Sequence, residues 1–320
     1  MLVFDKAYIE VRNRYILPLT NYSVPYKNLK TTNIKSIIGE KFKSVDDLGN
    51  GSYLLYFDNE ILIKALIGDI ELFYIRTILQ KEDVEAVNGI NITANWNIVT
   101  NYYHLFFCAS LLLRLCHRGN LFLDSDLQKT LQTLISQVLG FPIKLDNNLL
   151  YEIQIYNGEY VMKLSPSTGK THEFVWKMID ELINEFILLS TPKSEEYTVL
   201  KSIKNINNKL NNTYPSQLRN KVNYQPLYGI EYLDKRLFPI NTSASWLNEI
   251  MSFDISEVIG NDNRIANICS AYGKFIEIFS SKLIFDYFDI KGNQNGILKK
   301  INDGRTKKVS IIDYPYAFNI

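Results

Sequence analysis

Cysteine is scarce in this sequence: Cys108, Cys116 and Cys269 are the three among 320 residues. They form no C-x-x-C pair and none joins a histidine at zinc-finger spacing, so neither a disulfide framework nor a thiolate metal site is expected. Cys108 and Cys116 share one apolar stretch and read as buried thiols of a reducing compartment. Histidine is as rare, with His104, His117 and His172 alone. No two of these sit four apart as helix-borne metal ligands do, and no metal or cofactor is expected. A dominant charge sign is missing as well. The 35 Lys and Arg against 34 Asp and Glu leave a formal net charge of +1, which excludes a strongly basic nucleic-acid coat or an acidic tail but permits a local patch. There is no G-x-S-x-G elbow, no paired-carboxylate motif and no internal repeat. The N-terminus lacks a basic-then-apolar leader pattern, so a cytoplasmic location is expected. Long hydrophobic runs reduce to one, Ile98 to Leu115, and Asn101, His104, Ser110 and Arg114 interrupt it. No membrane role is expected for it.

What is present is the composition of a globular protein, 46% apolar and 22% charged. From Thr93 to Arg118, apolar and aromatic residues recur at helical spacing through Trp96, Val99, Tyr103, Phe106, Phe107, Leu113 and Leu115. Thr93 or Asn95 caps this helix and Gly119-Asn120 stops it, and so broad an apolar face predicts a central helix contacted on several sides. Upstream, Ala7 to Leu17 reads as a strand stopped by Pro18. Ser52 to Phe57 reads as a second strand, turning at Asp58-Asn59 into Glu60 to Leu66, before a helical Ile70 to Gln80. Downstream, helices are expected over Asp124 to Leu139, His172 to Leu189, Glu195 to Leu210, after Pro215, near Ala244 to Met251 and over Arg264 to Phe288. Tyr151 to Tyr156 and Tyr160 to Leu164 flank Asn157-Gly158 as a hairpin, an insertion protruding from a helical bundle. Gly292 to Gly296 reads as a turn, and the tail carries Lys299, Lys300, Arg305, Lys307 and Lys308, a pattern that reads as a solvated surface. The expected fold class is α+β and mainly helical. It comprises a small β-containing N-terminal lobe (1–90), a helical core with a hairpin near 150–165 (91–228) and a helical C-terminal extension (229–320).

Chemistry-bearing motifs are few. S-P-S-T-G-K-T, Ser165 to Thr171, ends like a phosphate-binding loop, yet Leu164 occupies the place of its first glycine, and a helix cap with a turn glycine accounts for it. The remaining candidate is Arg219-Asn220-Lys221-Val222-Asn223-Tyr224. Together with W-N-I-V-T-N-Y-Y-H-L-F-F-C-A-S-L-L-L-R-L, Trp96 to Leu115, the segment Arg219-Asn220 resembles the HEPN family, over roughly Thr93 to Tyr228. These are helical bundles of toxins, phage defence and RNA processing. Their nuclease members place a histidine four to six residues beyond the arginine; here Tyr224 stands in that window.

The resemblance implies a HEPN-like component of a prokaryotic conflict or anti-phage defence system, acting on RNA by metal-independent cleavage or by binding. It gives Arg219 the role of phosphate clamp, Asn220 and Tyr224 that of support, and His172 that of proton transfer. It also implies a homodimer, because one motif supplies half such a site. A second function class stays open, a catalytically inactive subunit that holds a partner protein in a larger defence or regulatory complex. So does a purely structural role, with Arg219 paired to a carboxylate and Tyr224 packed on the central helix.

Overall fold

The computed structural model describes residues 4–40, 42–88, 94–167, 169–225, 245–258 and 261–291. The chain divides into two compact units. One comprises Met1–Arg14, Tyr74–Leu112 and Val175–Lys282, the other Tyr15–Phe73, Leu113–Phe174 and Leu283–Ile320. Helices α3 (Asn59–Asn88), α4 (Ala94–Leu115), α6 (Thr171–Leu189) and α10 (Asp262–Lys291) contribute to both. The fold is α+β and mainly helical, as expected.

The first unit is helical among the described residues. Beside its shares of α3, α4, α6 and α10 it holds α1 (Lys6–Val11), α7 (Glu195–Leu210), α8 (Tyr214–Tyr224) and α9 (Ser245–Met251). Sequence starts these helices by chemistry that is visible in place. Ser194 accepts a hydrogen bond from Tyr197 N at 3.1 Å as the cap of α7, and Pro215 enters the first turn of α8, where its missing N–H costs nothing. For α1 the cap comes from afar: the Glu196 carboxylate accepts from Ala7 N and Tyr8 N at 3.0 and 3.1 Å. The core is aromatic, with Phe186 stacked on Phe279 at 4.9 Å and Trp176 against Tyr272 at 5.7 Å. Helices α4 and α10 approach so closely that a methyl on Gly273 would lie 2.2 Å from Leu105 Cδ1.

The second unit carries a five-stranded antiparallel sheet of order β1 (Ser44–Gly49), β2 (Ser52–Tyr56), β5 (Glu159–Pro166), β4 (Asn148–Tyr156) and β3 (Arg118–Phe122), with α2 (Ile34–Ile37) and α5 (Ser125–Leu139) in the same unit. Asn157 and Gly158 turn β4 into β5 with φ of 50° and 82°, the positive pair that such a hairpin turn requires. The hairpin is not a protruding insertion. Both its strands are paired on their outer sides, β5 to β2 with Leu55 opposite Met162, and β4 to β3 with Gly119 opposite Tyr151.

Three further expectations are corrected. Residues 7 to 17 form α1 followed by a π-helical turn, Arg12–Ile16, rather than a strand; burial falls on Ala7, Tyr8, Val11, Tyr15 and Ile16, a helical spacing. Residues 60 to 66 begin α3 instead of returning as a strand, because Asp58 Oδ1 accepts from Glu60 N at 3.0 Å and starts a helix there. Gly119-Asn120 does not merely stop α4; His117, at φ 61°, turns the chain straight into β3.

The stretch Asn95–Leu115 has the length and hydropathy of a membrane span, but 78% of that window is buried inside the protein. Its burial is one-sided in one respect: Trp96 is 65% exposed, and Tyr103 and Phe107 are half-exposed, so these three do not belong to the core. Thr93, the turn at Gly292 to Gly296 and the basic residues from Lys299 to Lys308 lie outside the described residues.

Candidate anion site at the end of helix α8

Helix α8 turns its buried face, Tyr214, Pro215, Leu218 and Val222, into the first unit. That leaves Arg219, Asn220 and Tyr224 on its accessible side. The Arg219 guanidinium donates from Nη1 to Asn220 Oδ1 at 3.0 Å and to the Tyr224 hydroxyl at 3.5 Å, and from Nη2 to the Tyr103 hydroxyl at 2.5 Å. The rings of Tyr103 and Tyr224 lie 5.5 and 5.6 Å from its central carbon, within cation–π range. Nε has no hydrogen-bond partner among the described residues. Every acceptor on this arginine is neutral, and no carboxylate of the described residues pairs with it. Burial works to lower its pKa, but hydrogen bonding and electrostatic interaction with Tyr103 and Tyr224 outweigh that and raise it. The cation is thus fixed in place with its charge unspent.

Of the four residues singled out from sequence, three come together here: Arg219, Asn220 and Tyr224. The fourth, His172, sits in the first turn of α6, half-buried, and belongs to the second unit. The structural alternative for Arg219 is not met, since no carboxylate among the described residues neutralises it, and Tyr224 is 71% exposed rather than packed away. Sequence reasoning missed Tyr103. It stands 116 residues from Arg219 in a stretch whose periodicity reads as core, so nothing local marks it. Tyr103 is well supported: its neighbour Tyr102 contacts it edge-on at 5.7 Å and accepts a hydrogen bond from the fully buried Trp176 Nε1 at 3.2 Å. A cavity of about 10 Å³ behind Arg219, bounded by Asn101, Tyr102, Pro215, Cys269 and Ser270, has room for a water at most. A ligand of Arg219 therefore approaches from the surface.

A second polar cluster in the same unit invites a catalytic reading and does not bear it. Glu277, 4% exposed, accepts from Lys81 and Lys274 at 2.8 Å each and lies 3.3 Å from His104 Nε2, which is itself 3.6 Å from Cys108 Sγ. Burial acts to raise the Glu277 pKa, and Lys274, Lys81 and His104 together overcome it and hold the carboxyl well below the ordinary carboxylate range. A carboxylate only accepts, so the His104 proton resides on Nε2, the same nitrogen that faces the thiol. A nucleophile relay needs thiol and carboxylate on opposite nitrogens, and His104 Nδ1 has no partner among the described residues. Burial also pushes the Cys108 thiol well above its ordinary value. The cluster is a buried ion network.

In the second unit, Asp69 accepts from Arg114 Nε and from the Tyr151 hydroxyl at 3.0 Å each, with the Arg114 guanidinium over the Phe73 ring at 3.4 Å. His117 Nε2 donates to the Tyr15 carbonyl at 2.9 Å. Both arrangements are satisfied and buried. Among the described residues no group of three or more His, Cys, Asp or Glu could hold a metal ion. No known family model, no curated protein and no solved structure matches this chain.

Proposed function

We propose that the chain is a HEPN-like, cytoplasmic component of a prokaryotic conflict or anti-phage defence system that binds RNA through Arg219. One observation carries this reading: a pre-positioned guanidinium without a carboxylate partner among the described residues, framed by two tyrosine rings, one of them 71% exposed. A guanidinium held in fixed geometry suits phosphate, whose oxygens accept charge-assisted hydrogen bonds. Tyrosine beside it suits nucleobases, whose faces stack on aromatic rings. The defence context rests on the family resemblance alone.

Cleavage of RNA at its 2′-hydroxyl needs a group that takes the proton. Among the described residues of its unit the cluster offers Asn220, Tyr103 and Tyr224 but no imidazole, and His104 of that unit is 3% exposed and engaged with Glu277. The reading is therefore binding without turnover. A homodimer, placing a second Arg219 on the same strand, is part of the proposal and is checked by sedimentation.

The test is fluorescence anisotropy with a labelled single-stranded RNA across a salt series. Arg219→Ala is expected to weaken binding by about tenfold or more and to lower the salt slope by about 0.7, the contribution of one phosphate on a single strand. Arg219→Lys is expected to restore only part of the affinity, because an ammonium cannot keep the bonds to Asn220, Tyr103 and Tyr224 that hold the cation in place. Equal affinity in wild type and Arg219→Ala contradicts the proposal and leaves a protein-binding subunit as the better account.

A further inference from the structure

We infer that the accessible face of α4 is a base-stacking track that carries a single strand of RNA away from Arg219, with Trp96 as its outer platform. The inference rests on the RNA reading of Arg219 and extends it to residues that reading does not use. Within 95–112, most residues of α4 are buried; Asn95, Trp96, Asn97, Thr100, Asn101, Tyr103 and Phe107 keep access to solvent, and four of these, Trp96, Thr100, Tyr103 and Phe107, fall in one line. Their spacing of four, three and four residues puts them on one face of the helix. Three of the four are aromatic. Trp96 is 65% exposed, whereas the other two tryptophans, Trp176 and Trp246, are 0% and 3% exposed. A tryptophan gains by burying its large ring, so one left in solvent on an aromatic stripe marks a surface that something else covers.

Position and charge select the occupant. The stripe runs into the guanidinium of Arg219 through Tyr103, which both bonds it and presents a ring to it. A cover for this face must be flat and stackable along the stripe and anionic beside Tyr103, because no carboxylate of the described residues offsets Arg219. Single-stranded nucleic acid combines these properties, and successive bases stack on aromatic side chains in proteins that bind it. From Trp96 to Tyr103 the helix rises about 10.5 Å, so one base cannot cover both rings and the strand must run along the helix. Tyr224, at the end of α8, adds a second ring beside Arg219.

The experiment compares wild type, Trp96→Ala and Arg219→Ala on two labelled probes, a uridine dinucleotide and an oligouridylate of about eight nucleotides. Trp96→Ala is expected to weaken the longer strand by about tenfold and to leave the dinucleotide unchanged. Arg219→Ala is expected to weaken both. Because Trp96 is the exposed tryptophan, acrylamide quenching of wild-type fluorescence is expected to fall when the longer strand binds; this reading needs no variant and is immune to a folding defect. Longer-strand binding that depends on Arg219 but not on Trp96, with quenching unchanged, overturns the track while the Arg219 site stands. Absence of RNA binding by wild type overturns both. A Trp96→Ala chain that changes only its sedimentation, with RNA affinity intact, shows the stripe to be a contact between copies of this chain and overturns the track as well.

Discussion

Two charged residues of the first unit are settled in opposite ways. Glu277 is buried and receives two ammonium groups and an imidazole, more positive charge than it can offset. Arg219 is half-exposed and receives none of the negative charge it could. Removing the charge of Glu277 would strand Lys81 and Lys274 beside a neutral amide in a buried site. Glu277→Gln is accordingly expected to cost about 3–5 kcal/mol, read from urea midpoints. The sign of the pH dependence follows from the depressed folded pKa. Between that value and the ordinary 4.5 the unfolded chain binds the proton and the folded chain does not, so this stabilisation is full above 4.5 and is lost as pH falls through the folded value. Wild type is expected to lose stability in that acid window, and Glu277→Gln to lose less. Glu196 has the opposite sign: burial raises its pKa against its bonds to Ala7 and Tyr8, so its contribution declines as pH rises past the ordinary carboxylate value.

At the scale of elements, close approach is bought with glycine at two places. In the sheet, Gly119 lies opposite Tyr151, whose ring fills the space a side chain would take; a methyl there would sit 2.6 Å from Tyr151 Cε1. Gly119→Ala is expected to cost about 1–3 kcal/mol by overpacking, and to move the Tyr151 hydroxyl off Asp69. Between helices, Gly273→Ala is expected to destabilise by a similar amount in wild type but much less in a Leu105→Ala background, since Leu105 is the side chain it strikes. Thermal midpoints of the four proteins of that cycle give the coupling directly. The helices α5, α6, α7 and α10 and the Asn157-Gly158 hairpin were legible in the sequence, because caps, a 3.6-residue period and a turn dipeptide are local signals. The partners of the hairpin were not, since β2 and β3 reach it from positions far away in the chain. Residues 7 to 17 show the limit of periodicity, a short apolar segment whose pattern suits strand or helix until Glu196 supplies the cap. On α4 the period was right and the face right in part: Val99, Phe106, Leu113 and Leu115 are buried, but Trp96, Tyr103 and Phe107 keep access to solvent, and spacing alone does not say which side meets it.

At the scale of the molecule, each compact unit is assembled from three separated chain segments, an organisation that no local composition shift announces. The net charge of +1 provides little general attraction for RNA. Binding must come from a localised site, and Arg219 with the aromatic face of α4 is the one proposed here. The placement of Arg219, Asn220 and Tyr224 was readable because all three lie on one short helix. Tyr103 and the exposure of Trp96 were not, since both depend on how α4 packs. The most direct test of RNA binding at this place is photocrosslinking of a single-stranded RNA containing 4-thiouridine to the wild-type chain, with the crosslinked peptides identified by mass spectrometry in the presence of EDTA. The account predicts intact RNA, with crosslinks concentrated on the peptides that contain Tyr224 and Trp96 and reduced by Arg219→Ala. Crosslinks confined to other peptides, or equal in the Arg219→Ala chain, would contradict it.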